Sequence, residues 1–214
     1  MRLKDKVTLI TGGAAGIGKA TAKRFTEEGA TVVICDVNQE AGEAAVEELG
    51  PEVTFYEVDV TDRQAVQQWV DDVVDRYGRV DILINNAGVL RDNQLVKVKD
   101  GELVQQMPEA DFDLVVAVNL KGVFNCTQAV APYMIKQGGG VILNASSVVG
   151  LDGNFGENPG GHAHPHAPRP PGPASRHRQC LPLPGVRRGE FYLRRGVAGR
   201  WGDCRRNMTS LVHW

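Results

Sequence analysis

The sequence predicts an α/β fold built on a doubly wound parallel sheet. Short apolar runs alternate with segments whose apolar residues recur at helical spacing, an order typical of right-handed βαβ units. Two of the runs, at 32–34 and 82–84, are apolar at every position, as are strands buried on both faces of a parallel sheet. A glycine-rich turn at 12–18 separates the first run from the first helical segment. Together these observations favour a sheet with helices on both faces.

The elements follow in order along the chain. Strands are predicted at 7–10, 31–35, 53–58, 80–84 and 141–145, and helices at 17–28, 40–49, 62–77, 109–118 and 120–136. Gly29 and Gly50 stand where helices end, and Asp62 stands where a side chain caps a helix N-terminus. The helix at 62–77 has the clearest period, with one apolar stripe made of Val66, Trp69, Val70, Val73 and Val74.

The composition changes near Gly156. Residues 1–156 carry fourteen Lys and Arg against twenty-three Asp and Glu, a net charge of −9. Residues 157–214 carry ten Arg and three acids, a net charge of +7, together with all five histidines and eight of the eleven prolines. No helical or strand period runs through 159–171. We therefore expect a folded domain at 1–156 and a tail at 157–214 that lacks the fold.

Length and composition predict one cytoplasmic domain. A chain of 214 residues with 42% apolar residues can bury an ordinary core. No run of about 18 apolar residues marks a membrane span, and no apolar leader follows Met1. Cys35, Cys126, Cys180 and Cys204 lack CxxC spacing, which indicates reduced thiols and neither a disulfide framework nor a zinc site.

The turn after the first strand has the residues of a dinucleotide phosphate site. Following Thr11, Gly12 permits a tight turn, Gly16 lets backbone approach a pyrophosphate, and Gly18 lets the next helix pack closely. A helix that opens at Ile17 offers free N–H groups and the positive end of its dipole to phosphates. A flexible surface loop is the alternative, but the place between strand and helix favours a Rossmann-type, NAD(P)-binding domain at 1–156.

Asp36 favours NAD over NADP. It follows the second predicted strand, eighteen residues after Gly18. A carboxylate at this place accepts hydrogen bonds from both ribose hydroxyls and repels a 2′-phosphate. Neither residues 13–15 nor Val37 supplies a cation for such a phosphate. A solvated acid or a helix cap is the other interpretation of Asp36.

Five motifs in order resemble those of the short-chain dehydrogenase/reductase family. The spacing Gly12-x3-Gly16-x-Gly18 is that family's form of the glycine loop. Asp59 and Val60 match its adenine-contacting pair. The run Asn85-Asn86-Ala87-Gly88 matches the motif that stabilises the family's central sheet and lines its cofactor cleft.

The other two motifs match catalytic residues of that family. Asn119 corresponds to its catalytic asparagine, and Ser147 to its catalytic serine. Asn144-Ala145 before Ser147, and Arg91-Asp92-Asn93 after the Asn-Asn-Ala-Gly motif, are most similar to the family's branch of 3-oxoacyl-acyl-carrier-protein reductases. The segment 91–106 is longer than that branch usually has.

The resemblance implies an oxidoreductase that transfers a hydride between nicotinamide and a carbonyl or secondary alcohol, with a 3-oxoacyl thioester as substrate, as in fatty acid biosynthesis. In the family, the serine polarises the substrate oxygen, the asparagine holds a water, and a tyrosine and a lysine four residues later complete the proton relay. Counting from Ser147 puts this pair at 160 and 164, where the sequence has Gly160 and His164. The alternative is therefore a nucleotide-binding remnant without catalysis.

The tail resembles a family C-terminus read out of frame. Residues 180–204 can be back-translated with synonymous codons and then read in a frame shifted by one nucleotide. That frame can encode FLASD and VDGG, which are similar to the family's C-terminal signature. We hypothesise a frameshift together with a deletion, which leaves the C-terminal helix and strands of the family missing or disrupted. The strand at 141–145 would then have an uncovered edge, and the family's usual homotetramer or dimer would lose part of its interface.

Two features of the tail have other interpretations. His162, His164 and His166 resemble metal ligands, but no fixed acid or thiol accompanies them, so we expect no metal site. The Arg-rich segment 187–206 would attract nucleic acid or a membrane by charge alone, yet a GC-rich gene read out of frame yields the same composition. We expect a small-molecule or acyl-carrier-bound carbonyl substrate as partner, and neither nucleic acid nor membrane.

Overall fold

The structure is a computed structural model that describes residues 1–147 and the backbone of two short strands beyond them. The strands are β1 (Val7–Thr11), β2 (Thr31–Asp36), β3 (Val53–Glu57), β4 (Ile82–Asn85), β5 (Val96–Lys99), β6 (Glu102–Gln106), β7 (Val141–Ala145), β8 (Tyr192–Leu193) and β9 (Thr209–His213). The helices are α1 (Gly16–Glu27), α2 (Gln39–Leu49), α3 (Arg63–Tyr77), α4 (Glu109–Val116) and α5 (Val123–Lys136).

The central sheet has the order β3-β2-β1-β4-β7-β9-β8. The first five strands in this order are parallel neighbours, and β9 and β8 continue the sheet in antiparallel pairing. The prediction of a Rossmann-type α/β sheet is thus confirmed. The strand order reverses between β1 and β4, and the crevice outside the carboxyl ends of such strands is where open α/β sheets bind ligands.

Two apolar clusters cover the two faces of the sheet, which explains why β1 and β2 are apolar at consecutive positions. Leu9 and Val33 face the cluster that α3 and α5 complete. Ile10 and Ile34, one residue further along each strand, face the cluster that α1 and α2 complete. Since successive strand residues point to opposite faces, a strand covered on both sides needs apolar residues throughout.

Helix ends mostly follow the predicted signals. The carboxylate of Asp62 accepts hydrogen bonds from the N–H groups of Gln64 at 2.8 Å and Ala65 at 3.1 Å, so it caps α3 as predicted. Gly50 is the C-cap of α2 at φ +94°. In α1 the C-cap is Glu28, and Gly29 at φ +87° is the residue after it.

The edge of β7 is covered, contrary to the prediction of an open edge. The strand Thr209–His213 pairs with β7 along its whole length, from Val141 opposite His213 to Ala145 opposite Thr209. The prediction was wrong because it treated residues 157–214 as unable to contribute a strand. Antiparallel addition requires only free N–H and C=O groups on the edge, so a short segment suffices.

The sequence did not reveal a β-hairpin between β4 and α4. Strands β5 and β6 form an antiparallel pair of their own, with a bulge after Lys97. Asp100 and Gly101 connect them at φ +54° and φ +83°. Every residue of both strands is exposed, and the hairpin lies within the segment 91–106.

A π-helical turn, Ala117–Gly122, joins α4 to α5 in one continuous helical run, Glu109–Lys136. By length and composition alone this run is apolar enough to cross a membrane, although polar and charged residues interrupt it and no unbroken run of about 18 apolar residues lies within it. The core helix of a soluble protein passes the same test, and α5 buries Cys126, Val130 and Met134 in the core of the sheet.

Candidate active site

The glycine loop follows β1 at the carboxyl edge of the sheet and lies against the end of β4. Gly12 adopts φ +62° and Gly16 φ +53°, conformations that favour glycine. A Cβ on Gly12 would lie 2.9 Å from Cα of Ala87, so a side chain there would clash with backbone. At Gly16 no atom of the residues that the structure describes lies within 4 Å of such a Cβ, which leaves an open backbone surface in front of α1.

The N-cap residue of α1 makes no side-chain hydrogen bond to the first turn of this helix. Ala15 occupies the N-cap position in an extended conformation and offers no side-chain acceptor. The first N–H groups of a helix have no partner inside the helix, so an uncapped N-terminus favours an anion. Ile17 lies in this turn with its side chain 64% exposed, whereas Gly18 is buried against the loop.

Thr11 and Asn86 bind the glycine loop to the segment after β4. The hydroxyl of Thr11, which is 1% exposed, accepts hydrogen bonds from the N–H groups of Asn86 at 3.0 Å and Ala87 at 2.9 Å. In return, Nδ2 of Asn86 donates to the carbonyl oxygens of Thr11 at 3.1 Å and Gly12 at 3.0 Å. This reciprocal set fixes both sides of the crevice at the switch between β1 and β4.

Asp36 ends β2 beside the glycine loop. One carboxylate oxygen accepts the N–H of Ala14 at 3.3 Å, and the other accepts the N–H of Asn38 at 3.2 Å. A carboxylate has about four lone-pair positions, so these two bonds leave acceptor capacity for a ligand. The capping role considered for Asp36 belongs instead to Asn38, whose side chain accepts the N–H of Ala41 at 2.9 Å.

Asp59 and Val60 lie in the turn from β3 to α3. The carboxylate of Asp59 accepts the N–H of Thr61 at 2.8 Å, which closes the turn on itself. Val60 is buried at 5% exposure, and Nδ2 of Asn125 donates to its carbonyl oxygen at 2.9 Å. Sequence reasoning did not single out Asn125; the signal available was a polar residue on the apolar face of α5.

Asn119 lies in the π-helical turn and binds the loop after β4. Its Oδ1 accepts the N–H of Val89 at 2.8 Å, and its Nδ2 donates to the carbonyl oxygen of Val89 at 2.9 Å. Gly88 precedes this contact, and a Cβ there would be 3.5 Å from Oδ1 of Asn119. π-Helical turns are often found at functional sites, and Asn119 lies in the middle of this one.

Ser147 is exposed and follows the last residue of β7 by two positions. The preceding strand end is held by Asn144, whose Oδ1 accepts a hydrogen bond from Nδ2 of Asn85 at 2.8 Å. Since β7 pairs with β4, Ser147 lies at the same edge of the sheet as residues 86–89. Positions 160 and 164 lie outside the described residues.

The described residues contain no group of three or more His, Cys, Asp or Glu side chains that could hold a metal ion. The histidine tract at 162–166 and the Arg-rich segment at 187–206 lie outside the part of the chain that the structure describes. Close to the crevice, burial raises the pKa of the Cys35 thiol far above its ordinary value, so that thiol is neutral and unreactive.

Comparison with known proteins gives one family match and several curated relatives. The family model described as short chain dehydrogenase matches residues 6–159. A 3-oxoacyl-[acyl-carrier-protein] reductase of Thermotoga maritima is 51% identical over 160 residues, which cover 73% of this chain and 61% of that protein. A (2S)-[(R)-hydroxy(phenyl)methyl]succinyl-CoA dehydrogenase subunit of Thauera aromatica is 42% identical over 162 residues, or 74% and 61%.

A 3-oxoacyl-[acyl-carrier-protein] reductase of Staphylococcus aureus is 40% identical over 156 residues, which cover 71% of this chain and 60% of that protein. The chain therefore spans about three fifths of the length of the curated relatives it matches. The family match ends at 159, close to the change of composition near 156.

Proposed function

Because this chain belongs to the short-chain dehydrogenase family, we propose that residues 1–156 bind a nicotinamide dinucleotide in the crevice between the glycine loop and the end of β4. The observation that carries this proposal is the open backbone at Gly16 in front of the uncapped N-terminus of α1. An anion placed there meets N–H donors and the positive end of the helix dipole. The residues present therefore fit the pyrophosphate of a dinucleotide.

NAD is the preferred cofactor in this proposal, with NADP second. Asp36 offers acceptors to the ribose hydroxyls at the end of β2, whereas a 2′-phosphate would meet a negative charge. The side chain of Val37, which is 63% exposed beside it, supplies no positive charge. Charge repulsion at this position therefore supports NAD.

We propose the reaction of a 3-oxoacyl thioester reductase, because two of the relatives described above are named for that activity. When bound, the nicotinamide supplies or accepts the hydride. Ser147 donates a hydrogen bond to the substrate oxygen, which stabilises the charge that develops there. Asn119 holds the loop at Val89 in place beside the reacting groups. The substrate is a small-molecule or acyl-carrier-bound carbonyl compound, acted on in the cytoplasm by the family's usual homotetramer or dimer.

A second candidate function is nucleotide binding without turnover. It is favoured by Gly160 and His164, which stand where the family's tyrosine and lysine are expected from Ser147. Proton transfer by a positioned side chain contributes about 10²- to 10⁴-fold to a rate. A chain without the pair is therefore expected to bind cofactor normally and to turn over very slowly.

One pair of assays distinguishes the two candidates. NADH and NADPH are titrated by fluorescence, and reduction of a 3-oxoacyl thioester is followed with the better-bound cofactor. Binding together with turnover supports the reductase, and binding alone supports the remnant. A folded chain that binds neither dinucleotide would contradict both.

A further inference from the structure

Asn125 is a buried carboxamide on α5 that contacts the turn after β3. It is 2% exposed, and its Nδ2 donates to the carbonyl oxygens of Val60 at 2.9 Å and Thr61 at 3.4 Å. Both partners are acceptors, so only the NH₂ side of the carboxamide satisfies them. Its Oδ1 is buried and has no hydrogen-bond partner among the residues the structure describes. An apolar residue at this point of α5 would avoid that desolvation cost but would leave the carbonyls of Val60 and Thr61 without these donors, so the carboxamide serves to hold the turn.

The turn that Asn125 holds has its own internal structure. Within it, the carboxylate of Asp59 accepts the N–H of Thr61, and the carbonyl oxygen of Asp59 accepts the N–H of Asp62 at 3.0 Å. These bonds shape the turn but do not fix where it sits against the rest of the fold. Its contacts with the helical run do so, through Asn125 and through Gly122, where a Cβ would lie 2.7 Å from Cγ2 of Val60.

The turn at 59–62 lies at the same sheet edge as the glycine loop and Asp36. In dinucleotide-binding sheets the phosphates lie at the N-terminus of the first helix and the ribose at the end of the second strand. The base of the nucleotide then extends past that strand end, toward the turn after β3. We propose that Asn125 is a positioning residue for the purine end of the bound nucleotide, acting by fixing the carbonyls of Val60 and Thr61. This inference rests on the proposed function.

The same helical run holds a second loop, which gives the proposal an internal comparison. Asn119 binds Val89 after β4, on the other side of the crevice from the turn at 59–62. One side chain thus fixes a loop at the nicotinamide side and the other a loop at the purine side. Loss of either side chain is expected to weaken the binding of a different part of the same ligand.

The test uses the full chain and calorimetric titration with two ligands, ADP-ribose and NADH. Asn125→Leu keeps the size of the side chain and removes both donated bonds. We expect it to raise the dissociation constants for both ligands by about tenfold, and to leave their ratio unchanged, because the purine end is common to both. Asn119→Ala is expected to leave ADP-ribose binding within about twofold of wild type and to weaken NADH binding, so that the ratio changes.

Two further variants separate positioning from general destabilisation. Ala129→Gly weakens the same helix one turn further on and leaves the bonds that Asn125 donates to Val60 and Thr61 in place, so this variant should bind both ligands normally. Gly122→Ala has better helix propensity but displaces Val60, so it should reproduce the loss of ADP-ribose binding even where Asn125→Leu folds poorly. Wild-type affinity for ADP-ribose in folded Asn125→Leu or Gly122→Ala overturns the inference alone. A wild-type chain that binds neither ligand overturns the proposed function and the inference with it.

Discussion

Substitution of Gly18 by alanine tests the phosphate loop most directly. Gly18 lies in the first turn of α1, and a Cβ there would be 2.0 Å from the carbonyl oxygen of Gly12 and 2.7 Å from Nδ2 of Asn86. A carbon and an oxygen in contact are normally about 3.3 Å or more apart, so the loop must move by about 1.3 Å. That movement also disturbs the bond that Asn86 donates to the same oxygen at 3.0 Å.

The free-energy change follows from three contributions. Overpacking costs about 1–3 kcal/mol, and a lost hydrogen bond costs about 1 kcal/mol. The better helix propensity of alanine relative to glycine offsets about 1 kcal/mol of this. The net destabilisation is about 2 kcal/mol, which lowers the Tm of a domain of this size by about 4–8 °C. Since the displaced backbone is the part expected to meet the phosphates, NADH affinity should fall by about a hundredfold.

The matched control is Gly42→Ala in α2. A Cβ at Gly42 would lie 2.2 Å from the ring of Phe55, and neither residue belongs to the glycine loop. Thermal unfolding and NADH fluorescence titration are measured on both variants. Gly42→Ala should lower the Tm and leave the affinity unchanged. If folded Gly18→Ala binds NADH as the wild-type chain does, the loop is not the phosphate site and the reasoning fails.

Three other predictions concern selectivity, acid stability and the tail. Asp36→Ser should weaken NADH binding by about tenfold and improve NADPH binding, and an unchanged ratio of the two affinities in titration would show that Asp36 does not select the cofactor. At the opposite sheet edge, burial raises the pKa of Asp81, but hydrogen bonds from Arg79 and from the N–H of Val7 outweigh burial and hold that pKa below its ordinary 3.8. The ionised form therefore stabilises the fold above about pH 4, and this contribution is lost as the pH falls further. Asp81→Asn should lower the free energy of unfolding by about 2 kcal/mol at pH 7, and that free energy should depend less on pH in the acid range when measured by chemical unfolding. Sequencing the gene across codons 150–214 should reveal a second frame that encodes a reductase C-terminus, and its absence would refute the frameshift hypothesis.

The parallel strands β1, β2, β3, β4 and β7 and the helices between them were predictable because local signals and packing agree there. The all-apolar runs of β1 and β2 require burial on both faces, and Asp62 has the side chain and position of a helix cap. Close backbone approach requires glycine at 12 and 18, as the contacts with Ala87 and with the carbonyl of Gly12 show, and a φ of +53° favours glycine at 16. Each of these requirements restricts the residue type at one position, so the sequence alone indicates them.

The hairpin at β5 and β6 and the strand β9 were not predictable in the same way. β5 alternates Val and Lys over only four residues and β6 does not alternate, while β9 pairs with the edge of β7 through backbone groups. Backbone pairing of this kind does not depend on side-chain identity and so leaves little trace in the sequence.

What the sequence by itself determined is the order of the parallel elements, the family motifs and the types of residue available at the crevice. What only the tertiary structure decided is which of those residues hold one another in place. Asn119 binds Val89, and Asn125 binds Val60 and Thr61, across separations of 30 and 64–65 residues in the chain. A single carboxamide can bond to any exposed N–H or C=O group, so its partner is fixed by the packing of the helical run Glu109–Lys136 and not by a local sequence pattern.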